Sequence, residues 1–289
     1  MTPAKAWLLL APGLVLLCVF LIAPIGDGLW LSLHEFDGLI VGRWLGLAQY
    51  RAVLIDPEFQ QALWHTIVFA LIVVIGKNAV GLALAILVSA PLRGARFARA
   101  FLFIPVTMNI IVIGAFWTFF LEAERFGGLF NHLLRLVGLG ALAHSWLTSA
   151  RTALLSVALV EIWRWAGLHM LLFLAGLQSI DPQLYDAARI DGADAWRRFW
   201  SVTLPGLRPV IFVSVLVALM GAFVRSFDVV WVLTRGGFDT DVVVTHLYNE
   251  AFKFSEFGRA AAMGYILFAV IALISFAYVC ASRGDRAIA

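Results

Sequence analysis

Apolar residues in this chain gather into long unbroken runs separated by short polar stretches. Six runs reach about 20 residues or more: Trp7 to Ile25, Leu63 to Ser89, Phe101 to Leu121, Thr152 to Leu174, Val210 to Leu233 and Ala260 to Cys280. At about 1.5 Å per residue, each is long enough to cross a hydrocarbon layer of about 30 Å as a helix. None shows the every-second-residue alternation of a barrel strand, and lipid admits only helices and closed barrels. The pattern predicts an all-α membrane protein with six transmembrane helices. Lys5 precedes the first run as it would in a secretory signal, but the run exceeds a usual signal core and no Ala-x-Ala triplet follows it. It reads as a retained helix.

Between the runs, Asp27 to Gln61 is the longest connection outside the bilayer and reads as a compact cap rich in turn residues. Gly127 to Val137 carries Leu129, Phe130, Leu133, Leu134 and Val137 at helical spacing, with Asn131, His132 and Arg135 opposite, as an interfacial helix would. His246 to Phe257 is similar but more polar, and Pro91 to Arg99 is a tight basic turn. No internal repeat or low-complexity tract is present. A single membrane domain over 1–289 is expected: an N-terminal helix at 7–25, five core helices over about 63–280, and a polar loop at about 175–208.

That polar loop has the clearest local grammar in the chain. Asp181 followed by Pro182 starts a helix, because the carboxylate accepts from free amides and proline fits the first turn. The helix is expected to end near Ile190, with Gly192 at a position that favours positive φ. Asp194 caps a second segment, Ala195 to Val202, and Pro205 with Pro209 lead toward the next span. Leu184, Ala187 and Ala188 share one thin face suited to a groove in another protein, flanked by Asp186 and Arg189.

Composition agrees: 62% of residues are hydrophobic and 13% charged, with a mean hydropathy of +0.93, too apolar for a soluble domain. With the amino terminus inside, the inner segments hold Lys5, Arg93, Arg96, Arg99, Arg189, Arg197, Arg198, Arg208, Arg283 and Arg286. The outer ones hold Arg43, Arg51, Arg125, Arg135, Arg151, Arg235, Lys253 and Arg259, spread over more chain. The bias places both termini in the cytoplasm. The net charge of +3 comes from dispersed arginines, which argues against nucleic acid. Cys18 and Cys280 fall within spans as small apolar fillers, and neither a disulfide nor a metal site is expected.

Charges within or near the spans stand out, because each costs roughly 2.5 to 3.5 kcal/mol unpaired. They are Lys77, Glu161, Arg164, Arg225 and Asp228. Spacing of three allows Glu161 with Arg164, and Arg225 with Asp228, to pair along one helix face. As a translocation pathway these residues would be joined by the rings of Trp163, Trp165 and Trp231 and by Asn109 and His169; as packing, they lock helices together. Lys77, Arg164 and Arg225 would also suit an anionic solute, against which Glu161 and Asp228 count.

The segment Asp186-Ala187-Ala188, Gly192 and Leu204-Pro205 resembles the EAA loop of ABC importer permeases. The likeness extends to the carbohydrate-uptake permeases at Gly46 to Tyr50, Arg99 to Pro105, Trp163 to Gly167, Ala175 to Ile180, Phe227-Asp228, Leu233 to Gly237 and Tyr248 to Gly258. It implies the MetI-like ABC importer permease fold. It also implies that Tyr185, Asp186, Ala187, Ala188, Asp191, Gly192 and Pro205 form a coupling helix and turn seated in an ATPase subunit. Asp186 stands where the family has glutamate, shortening its reach by a methylene, and Phe238 stands where proline usually follows Gly236-Gly237.

The resemblance further implies a permease subunit of an ATP-driven importer for a sugar or related polyol in the cell's inner membrane. Its partners would be a second permease in a heterodimer, an ATPase dimer, an extracytoplasmic solute-binding protein and membrane lipid. No cofactor is expected on the chain, ATP and magnesium belonging to the ATPase: Gly76-Lys77 is followed by Asn78 in an apolar run, so a phosphate-cradling loop is lacking. Glycerol phosphate or another non-sugar solute is the alternative cargo. A stand-alone secondary transporter would call for paired broken helices and a carboxylate relay. An intramembrane enzyme ranks below both, since His34-Glu35 lacks a second histidine and no nucleophile elbow occurs.

Overall fold

A computed structural model describes residues 3–90, 94–122 and 128–284, excepting the side chains of 3–6, 8, 9 and 282–284. In chain order the helices are α1 (Pro3–Leu17), α2 (Ala23–Leu31), α3 (Ala48–Ile55), α4 (Pro57–Ser89), α5 (Ala95–Thr107), α6 (Ile110–Phe120), α7 (Leu129–Leu136) and α8 (Ala153–Ser179). They continue as α9 (Pro182–Ile190), α10 (Ala195–Arg198), α11 (Leu204–Gly206), α12 (Arg208–Val224), α13 (Ser226–Leu233), α14 (Val243–Phe252) and α15 (Phe257–Gly284). Among the described residues, one antiparallel hairpin, β1 (His34–Phe36) with β2 (Val41–Trp44), interrupts the mostly helical chain.

Among the described residues, four helical stretches are long and apolar enough to span a membrane: Leu10–Leu31, Pro57–Ser89, Ala153–Ser179 and Phe257–Ala281. Two bent pairs, Ala95–Thr107 with Ile110–Phe120 and Ala195–Gly206 with Arg208–Val224, raise the number to six where each pair is taken as one span. The first span runs past its expected end at Ile25 because Pro24 falls in the first turn of α2, just after a π turn (Cys18–Ile22), where the missing amide is tolerated.

The expected continuous span Phe101 to Leu121 is instead α5 and α6, set at 98° to each other. Pro105 weakens the last turn of α5, and Asn109, extended at ψ 138°, caps α6 by accepting from the Ile111 amide at 2.8 Å. The expected span Val210 to Leu233 is likewise interrupted, at Arg225, between α12 and α13. Broken spans, unforeseen in the sequence, are thus a feature of this chain.

The chain forms two compact units. The first joins Met1–Gln61 to Val243–Ala272. Within it the cap holds the hairpin, where the Asp37 carboxylate accepts from the Leu39 and Ile40 amides, bonds that hold its pKa below the ordinary value. His34 lies in a strand, its ring 4.0 Å from Trp30 and 4.8 Å from Trp44. Gln49 donates to the His34 carbonyl, and Tyr265 to that of Ile25.

The second unit holds Ala62–Val242 with Leu273–Ala289. Its centre is α8, which is buried along most of its length. Neighbouring helices approach it closely: a Cβ at Gly81 would lie 2.5 Å from that of His169, and one at Gly167 would lie 2.4 Å from the Leu102 carbonyl. Small residues let membrane helices meet at backbone distance. At the end of α8 a core of Ala85, Val88, Met170, Phe173, Leu174, Ile180 and Leu207 ties α4, α8 and the start of α12 together.

α7 forms where an amphipathic helix was expected, Gly127 itself lying outside the described residues. Asn131, however, is not on a solvated face. It is wholly buried, donating to the carbonyls of Glu122 and His144 while accepting from Trp146 Nε1 at 2.8 Å. A side-chain amide with its bonds met is easily buried. Of the cations that set the topology, Arg93, Arg125 and Arg286, and the side chains of Lys5 and Arg283, also lie outside the described residues.

Candidate functional site

Two arrangements carry chemistry, and both lie in the second unit. The first is the polar loop. Asp181 accepts from the Gln183 amide at 2.9 Å and starts α9 at Pro182. The helix ends at Ile190, and Gly192 follows at φ +75°. Asp194 accepts from the Arg197 amide at 2.7 Å and opens α10. Helical winding continues through a π turn (Phe199–Thr203) to Gly206, so Pro205 lies within it and not after it. A 68° bend then turns the chain into α12.

Leu184, Asp186, Ala187, Asp191 and Gly192 are exposed, as is Ile190. Ala188 is half-buried and faces inward more than its neighbour. Asp186 pairs with Arg189 at 3.0 Å on the same helix, an exposed contact of little energetic weight. Tyr185 is half-buried, and its hydroxyl lies 3.0 Å from Thr203 Oγ1. Thr203 drew no notice in the sequence, since nothing local marks it as the brace of a helix 18 residues away. Beside this contact a pocket of about 460 Å³ is lined by Arg189, Arg198, Gln178 and Ser89, among others.

The second arrangement is a set of charges inside the bundle. The expected pair of Glu161 with Arg164 does not form. Glu161 Oε1 instead accepts from Lys77 Nζ at 2.7 Å, across from α4 to α8, with side chains 1% and 2% exposed. A cross-helix partner at that distance outcompetes a neighbour three residues along, whose guanidinium turns to the Trp165 ring at 5.4 Å. Arg225 does not pair with Asp228 either. It lies 4.2 Å over the same indole, while Asp228 sits in the first turn of α13, where the helix dipole already favours its charge.

Lys77 is 5.7 Å from the Trp165 ring as well, so three cations and one carboxylate share this region. An indole face offers each cation about 0.5 to 2 kcal/mol, less than the several kcal/mol of removing an ion from water. His169, nearby, is buried with Nδ1 2.7 Å from Ser214 Oγ, a satisfied packing contact.

The remaining candidates separate from this cluster. Trp163 projects from α8 into a cleft of about 570 Å³ lined by residues of α4, α5 and α8, including Phe101, Pro105, Met108 and Leu159, and meets the edge of Trp117 at 5.3 Å. Asn109 lies at the α5–α6 break, its Oδ1 engaged in capping. Trp231 stacks on Phe227 at 5.4 Å within α13. Phe238 takes φ +57°, which proline cannot adopt; Thr240 Oγ1 donates to the Gly237 carbonyl and fixes this turn.

In the first unit, ligand atoms of Asp56, His246 and Glu250 lie within 4.8 Å of one another. Arg259 already serves both carboxylates: it bonds Asp56, and its Nε is 3.7 Å from Glu250. The set is therefore a charge network and not a metal cage.

Residues 77–283 match the family model described as binding-protein-dependent transport system inner membrane component. The lactose transport system permease protein LacF of Rhizobium radiobacter is 32% identical over 96% of this chain and 94% of its own. The sn-glycerol-3-phosphate transport system permease protein UgpA of Salmonella choleraesuis is 33% identical over 94% and 93%. A solved bacterial alginate ABC transporter, in complex with a periplasmic protein bound to an alginate pentasaccharide, contains a chain with the same fold. Its TM-score is 0.84 at 22% identity over 98% and 96% of the two chains.

Proposed function

This chain belongs to the family of binding-protein-dependent transport system inner membrane components, and from that premise we propose that it is the permease subunit of an ATP-driven importer for a sugar or related polyol. It forms half of a translocation pathway with a second permease, receives cargo from an extracytoplasmic binding protein, and is moved by a separate ATPase dimer. It sits in the inner membrane with both termini in the cytoplasm. ATP and magnesium stay with the ATPase, since the chain's Gly76-Lys77 pair lies within α4 with Lys77 held by Glu161.

One observation carries the mechanism: α9 and the Gly192 turn stand exposed, yet are rooted by Tyr185, Ile180 and Leu207 in the core joining α4, α8 and α12. A rigid peg anchored in packed side chains passes displacement to the helices it touches, because such cores are not continuously deformable. Closure of the ATPase dimer would push α9, swing the bundle outward-facing and admit solute to the pathway beside Trp163; hydrolysis would reset it. Sugar cargo is supported by the lactose relative, and glycerol phosphate is kept as the alternative by the other.

The test is reconstitution with the ATPase, second permease and binding protein, followed by ATP-driven uptake of neutral sugars and of glycerol phosphate. Ala187→Trp, on the exposed face of α9, should release the ATPase on purification and stop uptake. Uptake driven by a proton or sodium gradient without nucleotide would instead establish a secondary transporter.

A further inference from the structure

We infer that Arg164 and Arg225, set around the Trp165 indole, form a receptor for an oxyanion, a carboxylate or phosphate group carried on a hydroxylated solute. The inference rests on the importer reading and adds to it the charge of the cargo.

Arg164 is 9% exposed, and its Nε and Nη1 are shielded with no hydrogen-bond partner among the described residues. A guanidinium cannot escape this by losing its proton. Arg225, half-buried, engages the indole at 4.2 Å and has no carboxylate salt-bridge partner among the described residues. Lys77 Nζ and Arg225 Nη2 each lie 3.7 Å from one point, the Cβ position of Gly221, so both reach a common space. Glu161 bonds Lys77 directly, and its single charge also acts on Arg164 and Arg225. Around the indole three cations thus share one carboxylate, an excess of positive charge in an interior that strengthens their mutual repulsion.

The unmet groups also define what fits. Arg164 Nε and Nη1 and Trp165 Nε1 are donors, and Glu161 Oε2 is an acceptor, all shielded and unpartnered among the described residues. A fork of arginine N–H groups matches carboxylate or phosphate geometry. The single acceptor beside it takes a hydroxyl. A uronic acid or a polyol phosphate supplies both; a neutral sugar leaves the arginines unmatched.

The experiment uses the assembled transporter in nanodiscs, titrated with glucuronate and glycerol 3-phosphate, with glucose as the neutral control, and reads the thermal unfolding midpoint. A saturable shift with one of the anions and none with glucose is expected. Arg164→Gln and Arg225→Gln should each raise the half-saturating concentration about tenfold or more. Arg225→Lys keeps the charge but not the fork, so it should weaken the anion.

No saturable shift, an equal shift with glucose, or an unchanged response in both glutamine variants would overturn the proposal. A response in the isolated chain that vanishes in the assembled transporter would hand the arginines to an acidic side chain of the second permease, and would also overturn it. ATP-driven uptake confined to neutral sugars sinks this proposal and leaves the importer reading intact. An anion response without any ATP-driven uptake does the reverse.

Discussion

Lys77 on α4 and Glu161 on α8 meet at 2.7 Å although 84 residues separate them, and neither side chain reaches solvent to any extent. Removing one partner strands the other as a buried charge, at a cost of roughly 3 to 5 kcal/mol. Lys77→Met and Glu161→Met should therefore each lower the thermal unfolding midpoint markedly in detergent. The double variant should recover most of the loss, since an apolar pair carries no stranded ion. Additive losses would mean that the two residues do not act as a pair.

Gly192, at φ +75°, has nothing within 4 Å of its Cβ position. A side chain there meets no clash within the chain, and the cost is conformational, about 1 to 2 kcal/mol. Gly192→Val should leave membrane insertion intact and cut ATP-coupled uptake roughly 5- to 30-fold. Gly192→Asn, which tolerates the left-handed region, should retain most activity. Equal loss with asparagine would assign the effect to bulk against the ATPase instead of to the bend.

What was legible in the chain was local. Asp181, Pro182, Gly192 and Asp194 act on groups within three residues, so the ends of α9 and the start of α10 could be read directly. Long apolar runs gave the spans, but hydropathy is blind to a bend when both arms are equally apolar, as around Asn109. Pro105 and Asn109 were the available signals for that break. The charge partners failed for a different reason: spacing along one helix names neighbours, while Glu161 found Lys77 on another. Asn131, taken for a surface residue, is satisfied by carbonyls 9 and 13 residues away. The cap hairpin, with Asp37-Gly38 at its turn, has strands of three and four residues, too short for alternation to register.

Tyr185 braces α9 through its hydroxyl, 3.0 Å from Thr203 Oγ1. Tyr185→Phe keeps the ring in the core and removes one bond, about 1 kcal/mol. If the brace transmits motion, ATP hydrolysis should persist while the amount of solute moved per ATP falls. Thr203→Val should behave alike, and the two changes together should do no more than either alone. Unaltered coupling in both would make Tyr185 a packing residue only.

Glu250 in the first unit lies 3.7 Å from Arg259 and 3.9 Å from His246. Burial pushes its carboxyl above the ordinary value of 4.5; Arg259 and His246 pull it down, and Asp56 and Glu256 add to the rise. With the folded value above the unfolded one, the stabilising share of the protonated form is full below the unfolded value and is lost as pH rises through the folded one. Glu250→Gln imitates the protonated carboxyl and keeps an oxygen facing Arg259. The variant should therefore gain on the native protein as pH increases from about 4.5 toward 8, read as the difference between their thermal midpoints. A difference that widens in the opposite direction would show that the ion pair with Arg259 outweighs the burial of the charge.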